Sequence, residues 1–257
     1  MTAIDALLIV IAGIGAGTIN SMVGSGTLIT FPTLVFLGLP PLAANVSNNV
    51  GLVAGGLSAS WGYRRELTGS TPMLRRLLPL SVLGSVVGAA LLLVLPAAAF
   101  RAVVPGLITL ALALVLVGPR LQARAARQTP VEAGMPRRRQ TALQAGVLVG
   151  GVYGGYFGAA QGVLLMGLFS ALSSESIQRL TGFKNVLVTS VNLVAAVAFV
   201  LFAREHISWV AVALVALGSL IGGLLGARIG RRLPAAVLRG IIVIVGLVAI
   251  AKMVWWS

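Results

Sequence analysis

Gly13-Ile14-Gly15-Ala16-Gly17-Thr18-Ile19-Asn20-Ser21-Met22-Val23-Gly24-Ser25-Gly26-Thr27 carries an apolar, glycine-spaced run into a Gly-x-Gly break, and Phe31-Pro32 follows. The stretch Gly150-Gly151-Val152-Tyr153-Gly154-Gly155-Tyr156-Phe157-Gly158-Ala159-Ala160-Gln161-Gly162 is its counterpart in the other half of the chain. Gly24 and Gly26 can break a helix and let the backbone approach a ligand closely. An apolar run of about 13 residues follows each break, at 27–39 and 161–173. At about 1.5 Å per residue neither is long enough to cross a hydrocarbon core of about 30 Å. Both read as short broken helices, or as arms of re-entrant hairpins formed with the segment before.

The composition around them is that of a membrane protein. Of 257 residues 58% are hydrophobic and only 9% charged, and the mean hydropathy is +1.03. A soluble domain carries about 25% charged residues. A chain this apolar could not cover its own surface in water, which excludes a soluble enzyme. Ten apolar segments stand between turn and charge signals, at 4–23, 27–39, 42–63, 77–95, 101–118, 142–158, 161–173, 184–203, 209–227 and 236–255. The first has no basic leader and carries Asp5, so it reads as a retained membrane segment and not as a signal peptide.

The net charge of +14 follows the loops. With the N-terminus outside, sixteen of the nineteen basic residues fall on inside connections, leaving Arg101, Arg204 and Lys252 outside. The positive-inside rule then places both termini outside the cytoplasmic (inner) membrane, and the clustering argues against nucleic acid as a partner. Counting each short hairpin as two spans or none leaves this orientation unchanged.

The halves repeat. Leu95-Pro96-Ala97-Ala98-Ala99-Phe100-Arg101 matches Leu233-Pro234-Ala235-Ala236-Val237-Leu238-Arg239 at an offset of 138, and Leu83-Gly84-Ser85 with Gly88 matches Leu217-Gly218-Ser219 with Gly222 at 134. Asn49-Val50 matches Asn185-Val186 at 136, and Gly24 matches Gly158 at 134. Five segments per half is an odd number, so the copies must be inverted in the membrane, a pattern of secondary transporters with the site near the midplane. The expected organisation is all-α: a repeat over 1–118, a basic cytoplasmic linker over 119–141 with Pro130, Gly134 and Pro136, and a second repeat over 142–257.

Two constellations could carry function. The half-helices after Gly24-Ser25-Gly26-Thr27 and Gly158-Ala159-Ala160-Gln161-Gly162 would begin with unpaired N–H groups and about half a positive charge, which suits an anion. The glycines Gly13/Gly17, Gly84/Gly88 and Gly218/Gly222/Gly226 read instead as packing faces, equally suited to a homodimer and to the core of one chain. The second constellation is polar. Asn45, Ser47, Asn48 and Asn49 open the third segment, while Thr181, Asn185, Thr189 and Asn192 share one helix face. Amides and hydroxyls can replace an anion's hydration without adding charge, although such residues also serve as caps and interhelical bonds. Lys184, aligned with Asn48, reads either as the charge that attracts an anion or as an interfacial lysine.

What is lacking also argues. Zero cysteines and a single histidine, His206 in an outside turn, leave no metal centre or cysteine nucleophile, so no cofactor and no catalytic residue is expected. Asp5, Glu66, Glu132, Glu175 and Glu205 all fall near segment ends or in loops, so no carboxylate relay crosses the membrane. An anion leaving a cell gains about 2.3 kcal/mol per charge per 100 mV and needs no such acid. The candidate substrate-binding set is therefore Asn20, Ser21, Gly24, Ser25, Gly26, Thr27, Asn45, Asn48, Asn49, Gly158, Gln161, Gly162, Lys184, Asn185, Thr189 and Asn192.

These residues resemble the sulfite exporter TauE/SafE family, also described as the four-toluene-sulfonate uptake permeases. The likeness rests on Asn20 through Pro32, then Gly38, Ala43-Ala44, Asn48-Asn49 and Tyr63-Arg64-Arg65, and in the second half on Lys184, Asn192, Phe199 and Gly226-Ala227-Arg228. It implies a secondary transporter of small sulfur-containing anions, such as sulfite or organosulfonates, working in the export direction by alternating access. Gly158-Ala159-Ala160-Gln161-Gly162 departs from the family's glycine-rich run, with Gln161 offering a side chain where relatives use backbone. The rival readings are a carrier of another small anion such as a carboxylate, a membrane assembly factor that transports nothing, and a membrane enzyme acting on lipid-linked substrates.

Overall fold

Thr2 opens the first helix with a reciprocal cap: its hydroxyl accepts from the Asp5 N–H while the Asp5 carboxylate accepts from the Thr2 N–H. From there the chain is helical. The computed structural model describes residues 1–69, 71–126, 136–173, 175–229, 240, 242–248 and 250–251. In order these form α1 (Ala3–Met22), α2 (Thr27–Phe36), α3 (Pro41–Gly62), α4 (Thr71–Val94), α5 (Ala97–Ala126), α6 (Arg137–Tyr156), α7 (Gln161–Leu172), α8 (Ile177–Phe202), a 3-10 turn Arg204–His206 and α9 (Trp209–Ile229). No strand occurs among the described residues. Residues 240, 242–248 and 250–251 of the tenth expected segment are helical, while the repeat motif at 233–239 and Lys252 lie outside the described residues.

Among the described residues, five helices are long and apolar enough to cross a membrane: Ala3–Met22, Pro72–Val94, Ala97–Arg120, Ile177–Phe202 and Trp209–Ile229. α3 is as long but is diluted by its asparagines and serines, and α6 by Arg137-Arg138-Arg139 in its first turn. The two short helices after the breaks begin where the sequence places them, at Thr27 and Gln161. Large apolar side chains stand exposed along the outer faces of α1 (Ile4, Leu8, Ile11), α4 (Leu83, Val87, Leu91) and α9 (Leu217, Ile221). Water would penalise such a surface and lipid hydrocarbon would cover it.

Several boundaries differ from those the sequence predicts, because charged residues here lie inside the helix ends and not beyond them. α8 starts at Ile177, not 184, because Ser176 caps it by accepting from the Arg179 N–H and Arg179 pairs with Glu175 one turn back, at 2.8 Å. α4 starts at Thr71, not 77, with exposed Arg75 and Arg76 in its first turns. α5 continues through Arg120 and Arg124 to Ala126, and α6 begins at Arg137, so both intrude on the 119–141 linker. Its remaining stretch, 127–135, including Pro130, Glu132 and Gly134, lies outside the described residues.

Glycine sets the helix pairing. Gly13 and Gly17 of α1 face Val215, Gly218 and Ser219 of α9 so closely that a Cβ on Gly17 would overlap the Ser219 carbonyl. Gly84 and Gly88 of α4 face Leu148, Gly151 and Val152 of α6 in the same manner, and Gly155 faces the Ser85 carbonyl. In lipid, where apolar helices gain nothing hydrophobic by meeting, such backbone contact is the source of packing energy. These faces are therefore occupied inside the chain. α3 and α8 lie between the two pairs, α3 packing on α9 and α8 on α4.

Candidate functional site

The two breaks meet. Gly24, at φ +87°, turns the chain after α1, and Gly158, at φ +76°, does so after α6, with Ala160 also left-handed at φ 58°. The Gly162 N–H donates to the Gly24 carbonyl at 3.1 Å, and a Cβ on either glycine would overlap the other's backbone. Glycine is required at this crossing both by its conformation and by the approach of the second chain. Phe31 of α2 packs edge-to-face on Phe157 of the second break, with ring centroids 5.3 Å apart.

The third helix of each half then reaches the end of the other half's first helix. Lys184 of α8 donates to the Asn20 and Ser21 carbonyls at 2.7 and 3.2 Å, and Asn185 Nδ2 to the Ser21 carbonyl at 3.1 Å. Asn45 Nδ2 of α3 donates to the Tyr156 carbonyl at the end of α6, at 3.1 Å. Lys184 is fully buried, which removes the interfacial alternative. Seven residues of α8 precede it, so it belongs to a helix interior and not to a cytoplasmic loop. Its amino group faces the carbonyl end of α1, where the partial negative charge of a helix C-terminus favours a cation. No Asp or Glu is buried as a whole among the described residues, although Glu66 Oε2, after α3, is shielded from solvent.

The remaining candidates divide by hydrogen bonding. Thr189 Oγ1 donates to the Asn185 carbonyl at 2.6 Å and meets Ser60 Oγ at 3.2 Å. Thr30 donates to Asn48 Oδ1, and Ser47 accepts from the Ser208 N–H at 2.9 Å. Among the side-chain amides, Asn20 Oδ1 accepts from the Gly26 N–H at 3.3 Å and Asn49 Nδ2 donates to Asn192 Oδ1 at 3.4 Å, both long against a usual ~2.9–3.0 Å. Ser25 Oγ, Asn49 Oδ1 and both amide atoms of Gln161 are buried with no partner. Gln161 lies folded over Gly154, where any Cβ would overlap its amide. Native interiors rarely leave such groups unsatisfied, because each costs about 1–3 kcal/mol.

The structure thus draws Asn20, Ser21, Gly24, Gly162, Lys184 and Asn185 together directly, and Asn49 with Asn192. Thr27 is buried at the start of α2, and Gly158 shapes the second turn. The helix starts are not bare: the N–H groups of Gly26, Gln161 and Gly162 all have protein acceptors, the second being Gly158 O at 3.3 Å. Two contributors were missed in the sequence, Thr30 and Ser60. Ser60 lies eleven residues after Asn49, the same one-face spacing that links Thr181 to Asn192. Among the described residues no cluster of three or more His, Asp or Glu could hold a metal.

An all-helical fold with, among the described residues, five helices long and apolar enough to cross a membrane and a buried polar crossing of two broken helices has the make-up of a polytopic membrane transporter. It belongs to the sulfite exporter TauE/SafE family, whose family model covers residues 9–253. Among curated relatives, a "Probable membrane transporter protein" of Haemophilus influenzae is 28% identical over 98% of this chain and 96% of its own length. "Probable membrane transporter protein YfcA" of Escherichia coli K12 is 30% identical over 94% of this chain and 87% of its own. A "Probable membrane transporter protein ORF9" from Sinorhizobium is 28% identical over 92% and 87% respectively. No solved structure matches the chain. The protein is a membrane transporter and not an enzyme.

Proposed function

We propose that this transporter carries a small sulfur-containing anion, sulfite or an organosulfonate, out across the cytoplasmic membrane by alternating access, with both termini outside. The observation that carries this reading is chemical. A fully buried lysine, bonded to backbone carbonyls, stands beside the crossing of two helix breaks, where the Ser25 hydroxyl and the Gln161 amide nitrogen are unused donors. An oxyanion would find an ammonium and neutral donors there, whereas a cation, though offered amide and carbonyl oxygens, would meet the charge of the lysine. The long Gly26–Asn20 and Asn49–Asn192 bonds are those an entering anion displaces at least cost. The family's description supports sulfite as the type of cargo.

Two inverted halves, 1–118 and 142–257 joined by 119–141, give the moving parts. The mirrored packing of α1 on α9 and α6 on α4 supports that division, as does the crossed capping by Lys184, Asn185 and Asn45. Helices entering from opposite faces whose ends touch must overlap inside the membrane, so rocking one half exposes the crossing to each side in turn.

Flux into proteoliposomes tests the reading. Sulfite, thiosulfate, a short sulfonate, sulfate and acetate are presented with and without an imposed potential. Selective flux of a sulfur oxyanion that follows the potential is expected. Acetate moving best would reassign the site to carboxylates, and flux that collapses a proton gradient would replace potential-driven export by proton symport.

A further inference from the structure

At the far end of α3 from its asparagines, a cleft of about 350 Å³ opens between the ends of α3 and α9. Its size is at the small end of ligand sites, about 300–1,000 Å³. Three arginines line it, Arg64, Arg65 and Arg228, against the single carboxylate of Glu66. The floor is fixed: Gly62 meets Ala227 so closely that any Cβ on Gly62 would overlap the alanine methyl. Trp61 forms the wall, 63% exposed, and the Arg64 guanidinium lies over its ring at 4.2 Å while donating to the Trp61 carbonyl at 2.9 Å. The stacking and the carbonyl bond together hold the guanidinium in place at the cleft.

The surface changes character at this level. One helical turn before Trp61, Leu57 is 54% exposed, and on α9 Leu217, Leu220 and Leu224 stand exposed before Arg228. A ligand here would therefore meet arginine at one end and a continuous apolar helix face at the other. Tryptophan is enriched at this boundary between hydrocarbon and headgroups. A free anion would use only half of that surface.

We infer that this cleft binds the headgroup of an anionic phospholipid, its phosphate held by Arg64, Arg65 and Arg228 and its acyl chains lying over Leu57 and Leu224. Basic pockets between membrane helices on the cytoplasmic side recognise such headgroups, and guanidinium forks match phosphate geometry. The site is separate from the helix crossing, so it stands or falls independently of the cargo.

Native mass spectrometry of the purified full chain tests it, with phosphatidylglycerol, phosphatidylcholine and inorganic phosphate as probes. Retained phosphatidylglycerol is expected on the native protein, and little phosphatidylcholine. R228Q should weaken it about fivefold, in line with the usual contribution of one arginine near an anionic surface, and R64Q/R65Q/R228Q more than that. R137Q/R138Q/R139Q removes the same charge elsewhere and should retain the lipid. Equal loss in that control would mean unspecific attraction and overturn the site. So would equal binding of the two lipids, unchanged binding in R228Q, or displacement by millimolar phosphate. The single variant keeps the test decisive should the triple one not fold.

Discussion

The two helix breaks are built to the same plan and finished differently. At the first, the Asn20 amide at the end of α1 reaches forward to the Gly26 N–H, and the α1 carbonyls are bound by Lys184 and Asn185. At the second, 134 residues on, Asn20 is replaced by Gly154 and Thr27 by Gln161, so the amide comes from the opposite side of the turn and rests on bare backbone. The first amide is used and the second is idle. A buried amide without partners lowers stability and gains nothing in the empty protein. On the proposed function, the first break holds the architecture and the charge, and the second holds the group that would meet cargo.

Glycine substitution should break the comparison most violently. Gly24→Ala adds a left-handed alanine, about 1–2 kcal/mol, and a methyl driven into the Gly162 backbone, about 1–3 kcal/mol more. Gly158→Ala adds the left-handed strain, but its Cβ would meet only the Gly154 carbonyl at 3.0 Å. The second break already tolerates one left-handed alanine, Ala160. Thermal denaturation followed by size-exclusion chromatography should show Gly24→Ala lost or strongly lowered and Gly158→Ala lowered far less. Equal losses would mean that the breaks are structurally equivalent after all.

Lys184 offers the next largest effect. Its counterpart at an offset of 136 is Asn48, a neutral acceptor for Thr30, so the cation belongs to one break alone. Lys184→Met removes the donor to Asn20 and leaves the Ser21 carbonyl to Asn185. Hydrogen bonds to charged groups contribute about 1.5–3 kcal/mol, which corresponds to a loss of roughly 10- to 100-fold in anion affinity if the ammonium also faces cargo. Flux at several substrate concentrations separates this from a folding defect. Unchanged apparent affinity in folded Lys184→Met would confine the lysine to capping α1.

Much of this is legible in the sequence, and the illegible part has a physical pattern. Glycine at spacing four announces that a helix has a close neighbour, and Gly13, Gly17, Gly84 and Gly88 all have one. Which neighbour is a matter of tertiary register, so the pairing of α1 with α9 and α4 with α6 had no local signal. The starts of α2 and α7 were readable because a turn requiring positive φ precedes each. The start of α8 was not, because Arg179 and Lys184 look like loop residues until the capping Ser176 and the Glu175 ion pair are recognised. Lys184 in particular was ambiguous for good reason: its partners are backbone carbonyls more than 160 residues away, and backbone carries no residue identity to read.

The smallest effect is also the most discriminating. Gln161→Leu replaces an unsatisfied buried amide by an apolar group of similar size, so stability should hold or rise by about 1 kcal/mol. Asn20→Leu removes an amide that is bonded to the Gly26 N–H and should lower stability by about 1 kcal/mol. Transport should move the other way: Gln161→Leu loses about tenfold in apparent affinity, the equivalent of one hydrogen bond of about 1.4 kcal/mol, while Asn20→Leu loses less. Melting temperatures and concentration-dependent flux on the same two variants give both readings. If Gln161→Leu gains stability and keeps its affinity, the idle amide recognises nothing, and the work assigned to the second break passes to Ser25, whose buried hydroxyl is the other unused donor beside the crossing.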